Sequence, residues 1–220
     1  MISWTEITHF GDLTITAFAA VAIAAWLLAE GEQRLAFWWS MLFTVGMGIV
    51  VATKIAFIGW GIGIRAIDFA GFSGHAMRAT AVLPVLFYLM LEKAPRGLRA
   101  LGALTGLAFG MLVGVSRVAL HAHSVSEIAF GWLLGASVSV GFLWIASTTL
   151  RGHVFTPLRL SLSVLALLHA PYVHPAPTQK WLTRVTLLIS GHEQPVARGT
   201  WRDARAPQQP ADALPRALTH

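Results

Sequence analysis

FSGHAMR, at residues 72–78, places a serine, a histidine and an arginine at the start of a long apolar run, and SRVALHAHSVSE, at residues 116–127, repeats this combination further along the chain. Apolar residues make up 55% of the 220 residues and charged residues 12%, which is about half the charged share of a soluble domain. The nine tryptophans agree with a membrane protein, because Trp favours membrane–water interfaces. The two polar stretches are therefore predicted to lie at the ends of membrane helices.

Long apolar runs divide most of the chain into predicted helices. A helix that crosses a bilayer needs about 20 mostly apolar residues. Runs of about this length occur at 12–30, 36–58, 75–92, 98–118 and 127–149, and a shorter, ambiguous run occupies 157–173. The sequence predicts an all-α fold, a polytopic membrane helical bundle with five to six transmembrane helices.

The chain is predicted to divide into a transmembrane domain at 1–173 and a polar tail at 174–220. Within the tail, residues 179–190 are predicted to form an interfacial helix. Its apolar side chains share one helical face, which favours a position along the membrane surface. They are Trp181, Val185, Leu188 and Ile189.

Composition also limits the classes of partner. The absence of cysteine excludes disulfides and thiolate metal sites. The net charge of +6 is typical of contacts with anionic lipid headgroups or of cytoplasmic loops. No basic run alternates with aromatic residues, so nucleic acid is not an expected partner. The first residues, MISWTEITHFGDL, lack the basic segment of a signal peptide, and the first apolar run is expected to be a retained helix.

The distribution of Lys and Arg predicts the orientation in the membrane. Residues 1–12 contain neither, whereas loop 92–99 contains Lys93, Arg96 and Arg99. Because short loops rich in Lys and Arg stay in the cytoplasm, the N-terminus is predicted to lie outside, and 59–74 and 117–126 share that outer face. We expect a bacterial inner membrane with this face toward the periplasm. The tail, with six Lys and Arg, is left open to either side.

Titratable side chains gather near these outer helix ends. They are Lys54, Arg65, His75, Arg117, His123 and Glu127. A charge at the centre of a bilayer costs about 2.5–3.5 kcal/mol on the mildest scale, so such groups are expected to cluster around water or a charged ligand. Cations and histidines together with one carboxylate suit an oxyanion, and phosphate is the expected one.

The residue types in the two stretches suit phosphate chemistry. Ser73 and Gly74 begin the third helix, and the free N–H groups of a helix N-terminus bind phosphate. Arg117 supplies a planar fork that matches two phosphate oxygens. His123 and Glu127 stand four residues apart and face the same way on a helix. The carboxylate can then hold one imidazole nitrogen while the other attacks phosphorus.

This combination resembles the type-2 phosphatidic acid phosphatase (PAP2) family of membrane lipid phosphatases, which is related to acid phosphatases and vanadium haloperoxidases. Residues 116–127 match the spacing of the family's third motif, S-R-x5-H-x3-D, with a glutamate in place of the aspartate. Residues 73–75 match its second motif, P-S-G-H, with Phe72 in place of the proline. Lys54 and Arg65 resemble the first motif, K-x6-R-P, but ten residues separate them and no proline follows.

The resemblance implies a reaction and a role for each matching residue. His123 would form a phosphohistidine, Glu127 would orient it, and His75 would be the general acid that protonates the leaving group. The phosphate-binding residues would be Lys54, Arg65, Ser73, Gly74 and Arg117. The substrate would be a lipid phosphate or diphosphate within a surrounding of membrane lipids, and neither a metal nor another cofactor would be needed. The resemblance extends over residues 12–150 and does not cover the tail.

Several of these residues also have structural explanations. Ser73 can serve only as an N-cap of its helix. Ser124 and Glu127 fit a capping box, S-x-x-E, and this role can coexist with catalysis. His121 competes with His123 as the nucleophile, although the five-residue spacing after the arginine favours His123.

Other cations and histidines have less specific expectations. Arg65 can extend to lipid headgroups, and Arg78 is either a substrate contact or a headgroup contact. The remaining histidines have no spacing partner and are expected at solvent or at the interface. They are His9, His153, His169, His174 and His192.

Two further functions are compatible with the sequence. A non-catalytic binder or transporter of anionic lipids would use the same cations without turnover. An intramembrane serine protease is the other, because GFSG at 71–74 fits the G-x-S-G sequence with Ser73 as nucleophile. The cluster of cations argues against the protease, since peptide cleavage needs no such charge.

Overall fold

The computed structural model describes residues 3–150, 161, 165 and 178–203. Its helices, numbered along the chain, are α1 (Trp4–His9), α2 (Leu13–Ala29), α3 (Gln33–Trp60), α4 (Gly74–Met90), α5 (Arg96–Ala119), α6 (Val125–Thr149), α7 (Thr178–Ser190) and α8 (Arg198–Asp203). A 3-10 turn at Arg65–Ile67 lies between α3 and α4. The described part of the chain is therefore an all-α bundle, as the sequence predicts.

The five long apolar runs are all helices, and their ends fall within a few residues of the predicted ones. Local signals set these ends. The chain leaves α3 at Gly61 in the left-handed conformation (φ 67°), which glycine adopts readily. The Ser124 hydroxyl accepts from the Glu127 N–H to begin α6. The short helix α1, which a capping box between Ser3 and Glu6 begins, was not predicted. Apart from residues 161 and 165, the predicted sixth run at 157–173 lies outside the described residues.

Three of the described helices are long and apolar enough to cross a membrane, namely α3, α5 and α6, and α2 is a shorter apolar helix. Large apolar side chains on these helices point away from the bundle, among them Phe18, Leu104, Leu133 and Trp144. An apolar outer surface of this kind suits lipid, because hydrocarbon accepts exposed Leu and Phe without penalty. The chain is a membrane protein built from helices.

Helix α4 lies at the centre of the bundle. Most of its side chains are buried, including the whole stretch from Ala76 to Leu86. Helices α5 and α6 pack against it on two sides, and α2 and α3 also contact it. Because α4 is enclosed by protein, the residues at its first turn are held from several directions at once.

Glycines on the neighbouring helices allow this close packing. Helix α5 carries a glycine at every fourth position from Gly102 to Gly114, and they face α4 or α6. A Cβ at Gly106 would lie 2.5 Å from the Leu83 carbonyl oxygen, and one at Gly110 would lie 2.9 Å from the Ala79 backbone. Small residues at such contacts let helix backbones approach, which is the main source of helix association in lipid.

The polar connections gather at one end of the bundle. The Arg117 guanidinium donates to the Thr8 hydroxyl (3.2 Å), and the Ser124 hydroxyl donates to the Asp68 carbonyl (2.8 Å). These bonds join the N-terminal segment, the 61–73 loop and the 120–124 turn. The predicted placement of the two polar stretches on the same face is therefore confirmed.

The tail also reaches this end of the bundle. The Val196 N–H donates to the Ile58 carbonyl (2.9 Å), and His192 Nδ1 donates to the Gly59 carbonyl (2.7 Å). Trp201, only 5% exposed, packs edge-to-face on Phe57 with ring centres 5.2 Å apart. His192 is exposed, as expected from the sequence, and its hydrogen bond shows that the 191–197 segment folds back onto the end of α3.

Helix α7 occupies Thr178–Ser190, where the sequence predicts an interfacial helix, and its apolar side chains share one face. Thr186 is buried against Gly59 of α3, whereas the opposite face is open, with Leu188 85% exposed. The other exposed members of this face are Trp181, Val185 and Ile189. The side of α7 that contacts α3 carries the small, polar Thr186, and the apolar side chains face away from α3.

The contact of α4 with α5 is expected to depend on the missing Cβ at Gly106. Gly106→Ala should lower the midpoint of thermal unfolding in detergent, because the added methyl group meets backbone atoms of Leu83 and Pro84 that cannot move freely. Overpacking of this kind costs about 1–3 kcal/mol. Gly97→Ala on the same helix is the control, since no atom lies within 4 Å of its added Cβ. Equal midpoints for the two variants would contradict this account of the packing.

Candidate active site

A half-open cavity of about 600 Å³ lies at the polar end of the bundle. Its charged and titratable lining consists of Lys54, His75, Arg78, Arg117, His121, His123, Glu127 and Arg198. These residues come from α3, α4, α5, α6, the turn before α6 and the tail. The two stretches that the sequence singled out therefore meet at one cavity, together with a segment that the sequence did not assign to it.

His123 and Glu127 form a hydrogen-bonded pair in this cavity. The distance from His123 Nδ1 to Glu127 Oε2 is 2.7 Å. A carboxylate accepts only, so Nδ1 carries the hydrogen and Nε2 is left with a free lone pair. The structure pairs His123 with the carboxylate, whereas His121, which also lines the cavity, makes no such contact. This arrangement gives an imidazole with one oriented, unprotonated nitrogen.

Glu127 is itself held on both of its oxygens. Oε2 also accepts from the Ser124 N–H (3.2 Å), and Oε1 accepts from the Ala70 N–H (3.0 Å) and from Arg198 Nη2. The carboxylate is 1% exposed. The capping box and the contact with His123 coexist, as expected from the sequence. The longer side chain of glutamate reaches the Ala70 N–H without losing the histidine.

The pKa of His123 lies below its ordinary value of 6.5. Burial is the main cause, because it disfavours the charged ring. The hydrogen bond to Glu127 opposes this effect, and the charges of Lys54 and Arg117 add to it. His123 is therefore neutral at pH 7, which is the form that a nucleophile needs.

A second histidine–carboxylate pair lies on the other side of the cavity. His75 Nε2 donates to Asp12 Oδ1 (2.7 Å), and His9 Nδ1 donates to Asp12 Oδ2 (2.8 Å). Burial works against the charged form of Asp12, but the hydrogen bonds from His75 and His9 outweigh it and hold its pKa below the usual range. His9 was expected at solvent or at the interface, and the structure places its partly buried ring against Asp12. His153, His169 and His174 lie outside the described residues.

The cations of the cavity are positioned by the backbone around them. Arg78 is buried and donates from Nε and Nη2 to the Gly11 carbonyl (3.3 and 2.9 Å). A Cβ on residue 74 would lie 2.7 Å from Arg78 Nη1, so glycine at this position allows the guanidinium to lie beside the start of α4. Arg78 is therefore a cavity residue and not a headgroup contact. Lys54 reaches the same cavity from α3.

Arg117 is bonded on one side only. Its Nη1 donates to Thr8, while its Nε is buried and has no hydrogen-bond partner in the described structure. A buried donor without an acceptor costs about 1–3 kcal/mol, and an anion in the cavity would remove that cost. Within the described ranges, no three His, Asp or Glu side chains are grouped to hold a metal ion. The cavity is suited to an anion.

Two of the predicted phosphate-binding residues do not reach the cavity wall. Ser73 is fully buried, its hydroxyl lacks a partner among the described residues, and it caps α4 without a side-chain bond. Arg65 is exposed on the 3-10 turn, with its guanidinium 5.6 Å from the centre of the Trp201 ring. The four extra residues in the loop place Arg65 against the tail, and Arg78 lines the cavity in the region where a second cation was expected.

The substitution of Phe72 for proline has a structural counterpart. The Phe72 N–H donates to the Thr53 hydroxyl (3.3 Å), a bond that proline could not make. The ring packs edge-on against Phe69 and Phe130, with ring centres 5.4 and 6.0 Å away. The loop before α4 is thus fixed by a hydrogen bond and by aromatic packing.

Sequence reasoning missed Asp12 and Arg198. Asp12 stands at the head of the first apolar run, on the face predicted to hold the site, and a carboxylate there could have been recognised as a partner for a histidine. Arg198 gave no such signal, because it lies among several arginines of an irregular tail. Its position depends on the packing of Trp201 and Val196, which spacing does not reveal.

The chain is similar in sequence to a known family and to a known protein. The family model described as the PAP2 superfamily matches residues 66–151, a range that includes His75, Arg117, His123 and Glu127. A protein of Klebsiella pneumoniae, described as an uncharacterized 22.5 kDa protein in the cps region, is 35% identical over 206 residues. The match covers 90% of this chain and 96% of that protein. No solved structure matches the chain.

The unpaired Nε of Arg117 leads us to expect tight oxyanion binding that depends on this side chain. Arg117→Ala should weaken the binding of orthovanadate, a phosphate analogue, by about tenfold or more in isothermal titration calorimetry. Arg34→Ala removes the same charge from the exposed start of α3, some 30 Å along the helix from Lys54, and should leave the affinity unchanged. Equal losses in the two variants would show that net charge, and not the cavity, binds the anion.

Proposed function

Since the chain belongs to the PAP2 superfamily, whose domain supports a phosphatase-type function, we propose that it is an integral membrane phosphatase that removes phosphate from a lipid phosphate or diphosphate. The proposal includes a phosphohistidine intermediate on His123. It also places the enzyme in the bacterial inner membrane, with the cavity open to the periplasm.

The hydrogen bond between His123 and Glu127 at the wall of a cationic cavity is the observation that carries this proposal. The carboxylate fixes Nδ1 and leaves Nε2 as the nucleophile. Lys54, Arg78 and Arg117 surround the same space. Phosphoryl transfer needs little beyond positioning and neutralisation of oxygen charge, and this set of residues offers both.

The first chemical step forms a bond from His123 to phosphorus. Nε2 attacks the phosphorus atom on the side opposite the leaving oxygen, the P–N bond forms and the P–O bond breaks. The ring then carries a positive charge, which Glu127 stabilises through Nδ1–H. Burial disfavours a charged His75, whereas Asp12 and the bound phosphoryl group oppose that effect. In the proposed step His75 is protonated, its Nε2–H stays bonded to Asp12, and the proton on Nδ1 passes to the leaving alcohol or phosphate.

The second step releases inorganic phosphate. A water molecule attacks the phosphorus, and His75, now neutral, accepts its proton. The P–N bond breaks and its electrons return to Nε2, so His123 regains its starting form. Gly74 and the guanidinium of Arg117 hold the phosphoryl oxygens in both steps, and Arg78 adds positive charge. The two histidines have different roles because each is held by a different carboxylate, His75 by Asp12 and His123 by Glu127.

The position of the cavity supports a lipid substrate. It opens at one end of helices whose outer surfaces are apolar, so a phosphoryl group at the headgroup plane can enter while the acyl or prenyl chains stay beside the bundle. The Klebsiella relative is named only for the cps region, and no substrate comes from it. Phosphatidic acid, phosphatidylglycerol phosphate, undecaprenyl diphosphate and lipid A phosphates all fit this description.

Neither of the other functions has a specific observation in its favour. A serine protease would need a base in contact with Ser73, yet its hydroxyl is buried without a partner in the described structure. A binder of anionic lipids would need the cations but not an oriented imidazole with a free nitrogen. The pair of His123 and Glu127 therefore favours catalysis.

Loss of the nucleophile is expected to abolish turnover. His123→Ala should reduce release of inorganic phosphate by about 1,000-fold or more across a panel of purified lipid phosphates and diphosphates. The variant should insert and unfold like the wild type. His121→Ala is the comparison, because the two histidines lie in the same turn, and its loss should be far smaller. Retained turnover in His123→Ala, or an equal loss in His121→Ala, would contradict the assignment.

A further inference from the structure

The tail supplies a wall of the cavity and one of its cations. Thr178, Gln179 and Thr183 from α7 line it, followed by Val196 and Arg198. None of these residues belongs to the range that the family match covers, which ends at residue 151. Of these tail residues, Arg198 contacts the pair of His123 and Glu127, through a hydrogen bond to Glu127.

Arg198 binds the carboxylate that orients the nucleophile. Its Nη2 donates to Glu127 Oε1, the oxygen that does not contact His123, and its Nη1 lies 3.8 Å from Asp68 Oδ2. Glu127 is buried, and a buried carboxylate is unfavourable unless it is both hydrogen-bonded and balanced by charge. The neutral imidazole provides a hydrogen bond but no positive charge. The guanidinium provides both.

Other charged groups near the pair do not take over this contact. Those that face it are Lys54 from α3, Asp68 from the loop, His75 from α4, Arg117 from α5, and His121 from the turn. Lys54 and Arg117 line the space assigned to the phosphoryl group. Among the described residues, only Arg198 donates a charged hydrogen bond to Glu127.

We propose that Arg198 is a positioning residue for the reaction: it holds Glu127 in the orientation that aims His123 Nε2 at phosphorus and offsets the charge of Glu127 so that His123 stays neutral. This inference rests on the proposed function for its effect on turnover. Its electrostatic part concerns the protein alone and does not need a substrate.

The anchoring of the tail separates this role from a purely structural one. The segment is held by Trp201 on Phe57 and by the Val196 N–H on the Ile58 carbonyl, independently of the Arg198 side chain. Removal of the guanidinium should therefore leave the tail in place. It should change the environment of Glu127 and, through Glu127, the protonation of His123.

The sign of the expected change follows from charge. With Arg198 absent, the full negative charge of Glu127 acts on the imidazole and favours its protonated form. The pKa of His123 should then rise, and the acid limb of kcat/KM should move to higher pH by the same amount. The wild-type limb should lie below pH 6.5, because the pKa of His123 is lowered.

The test compares Arg198→Ala, Arg198→Lys and Arg184→Ala with the wild type in detergent or nanodiscs. Histidine labelled with ¹⁵N reports the titration of His123, whose signal is identified by its loss in His123→Ala. Phosphate release from a lipid phosphate gives kcat and kcat/KM against pH. Arg184→Ala is the matched control, because Arg184 is exposed on α7 and its substitution removes the same charge from the tail.

Arg198→Ala should raise the pKa of His123 and lower kcat by about 10- to 100-fold with little change in KM. Arg198→Lys keeps the charge but not the planar fork, so it should restore the pKa and only part of kcat. Arg184→Ala should match the wild type in both readouts.

Three results would overturn the inference: an unchanged pKa of His123 in Arg198→Ala, a kcat equal to or above that of the wild type, or the same change in Arg184→Ala. Failure of the proposed function has a different signature. It would leave the wild type without phosphate release, while the titration of His123 would still report whether Arg198 acts through Glu127.

Discussion

The carboxylate of Glu127 is the point on which the site depends. Its two oxygens accept from His123, Ser124, Ala70 and Arg198, and so join the start of α6 to the loop before α4 and to the tail. The Glu127 carbonyl also accepts from the Ser73 N–H at 3.1 Å, which connects the starts of α4 and α6. One buried acidic residue thus orients the imidazole of His123 and aligns three segments of the chain around the cavity.

The bundle makes this arrangement possible because α4 is enclosed. The glycines of α5 bring its backbone against α4, and Gly131 of α6 would place a Cβ 2.8 Å from the Ser73 carbonyl. Such close contacts fix the first turn of α4, where Gly74 and His75 lie. Apolar side chains cover the outside of the bundle, and the charged and titratable groups that line the cavity lie together at one end. Close helix packing and the grouping of charged side chains therefore both shape the cavity.

Much of this could be predicted from the sequence, and the limits have physical causes. Apolar length predicts the five helices, and the spacing of residues 116–127 predicts the pair of His123 and Glu127, since both depend on local periodicity. Contacts between distant segments leave no such pattern. Asp12 meets His75 across 63 positions and Arg198 meets Glu127 across 71, so neither pairing was predicted. The predicted position of Arg65 in the cavity differs from the structure for a related reason, because Arg65 contacts Trp201 of the distant tail.

Covalent phosphorylation of the His123 imidazole, as proposed above, can be detected by trapping the intermediate. Wild-type protein would be mixed with a lipid phosphate, quenched in alkali within milliseconds to seconds, digested and examined by mass spectrometry. We expect a phosphoryl group on His123, stable in alkali and lost in acid, that disappears as substrate is consumed. Phosphate release without any such adduct, or with the phosphoryl group on another residue, would contradict it.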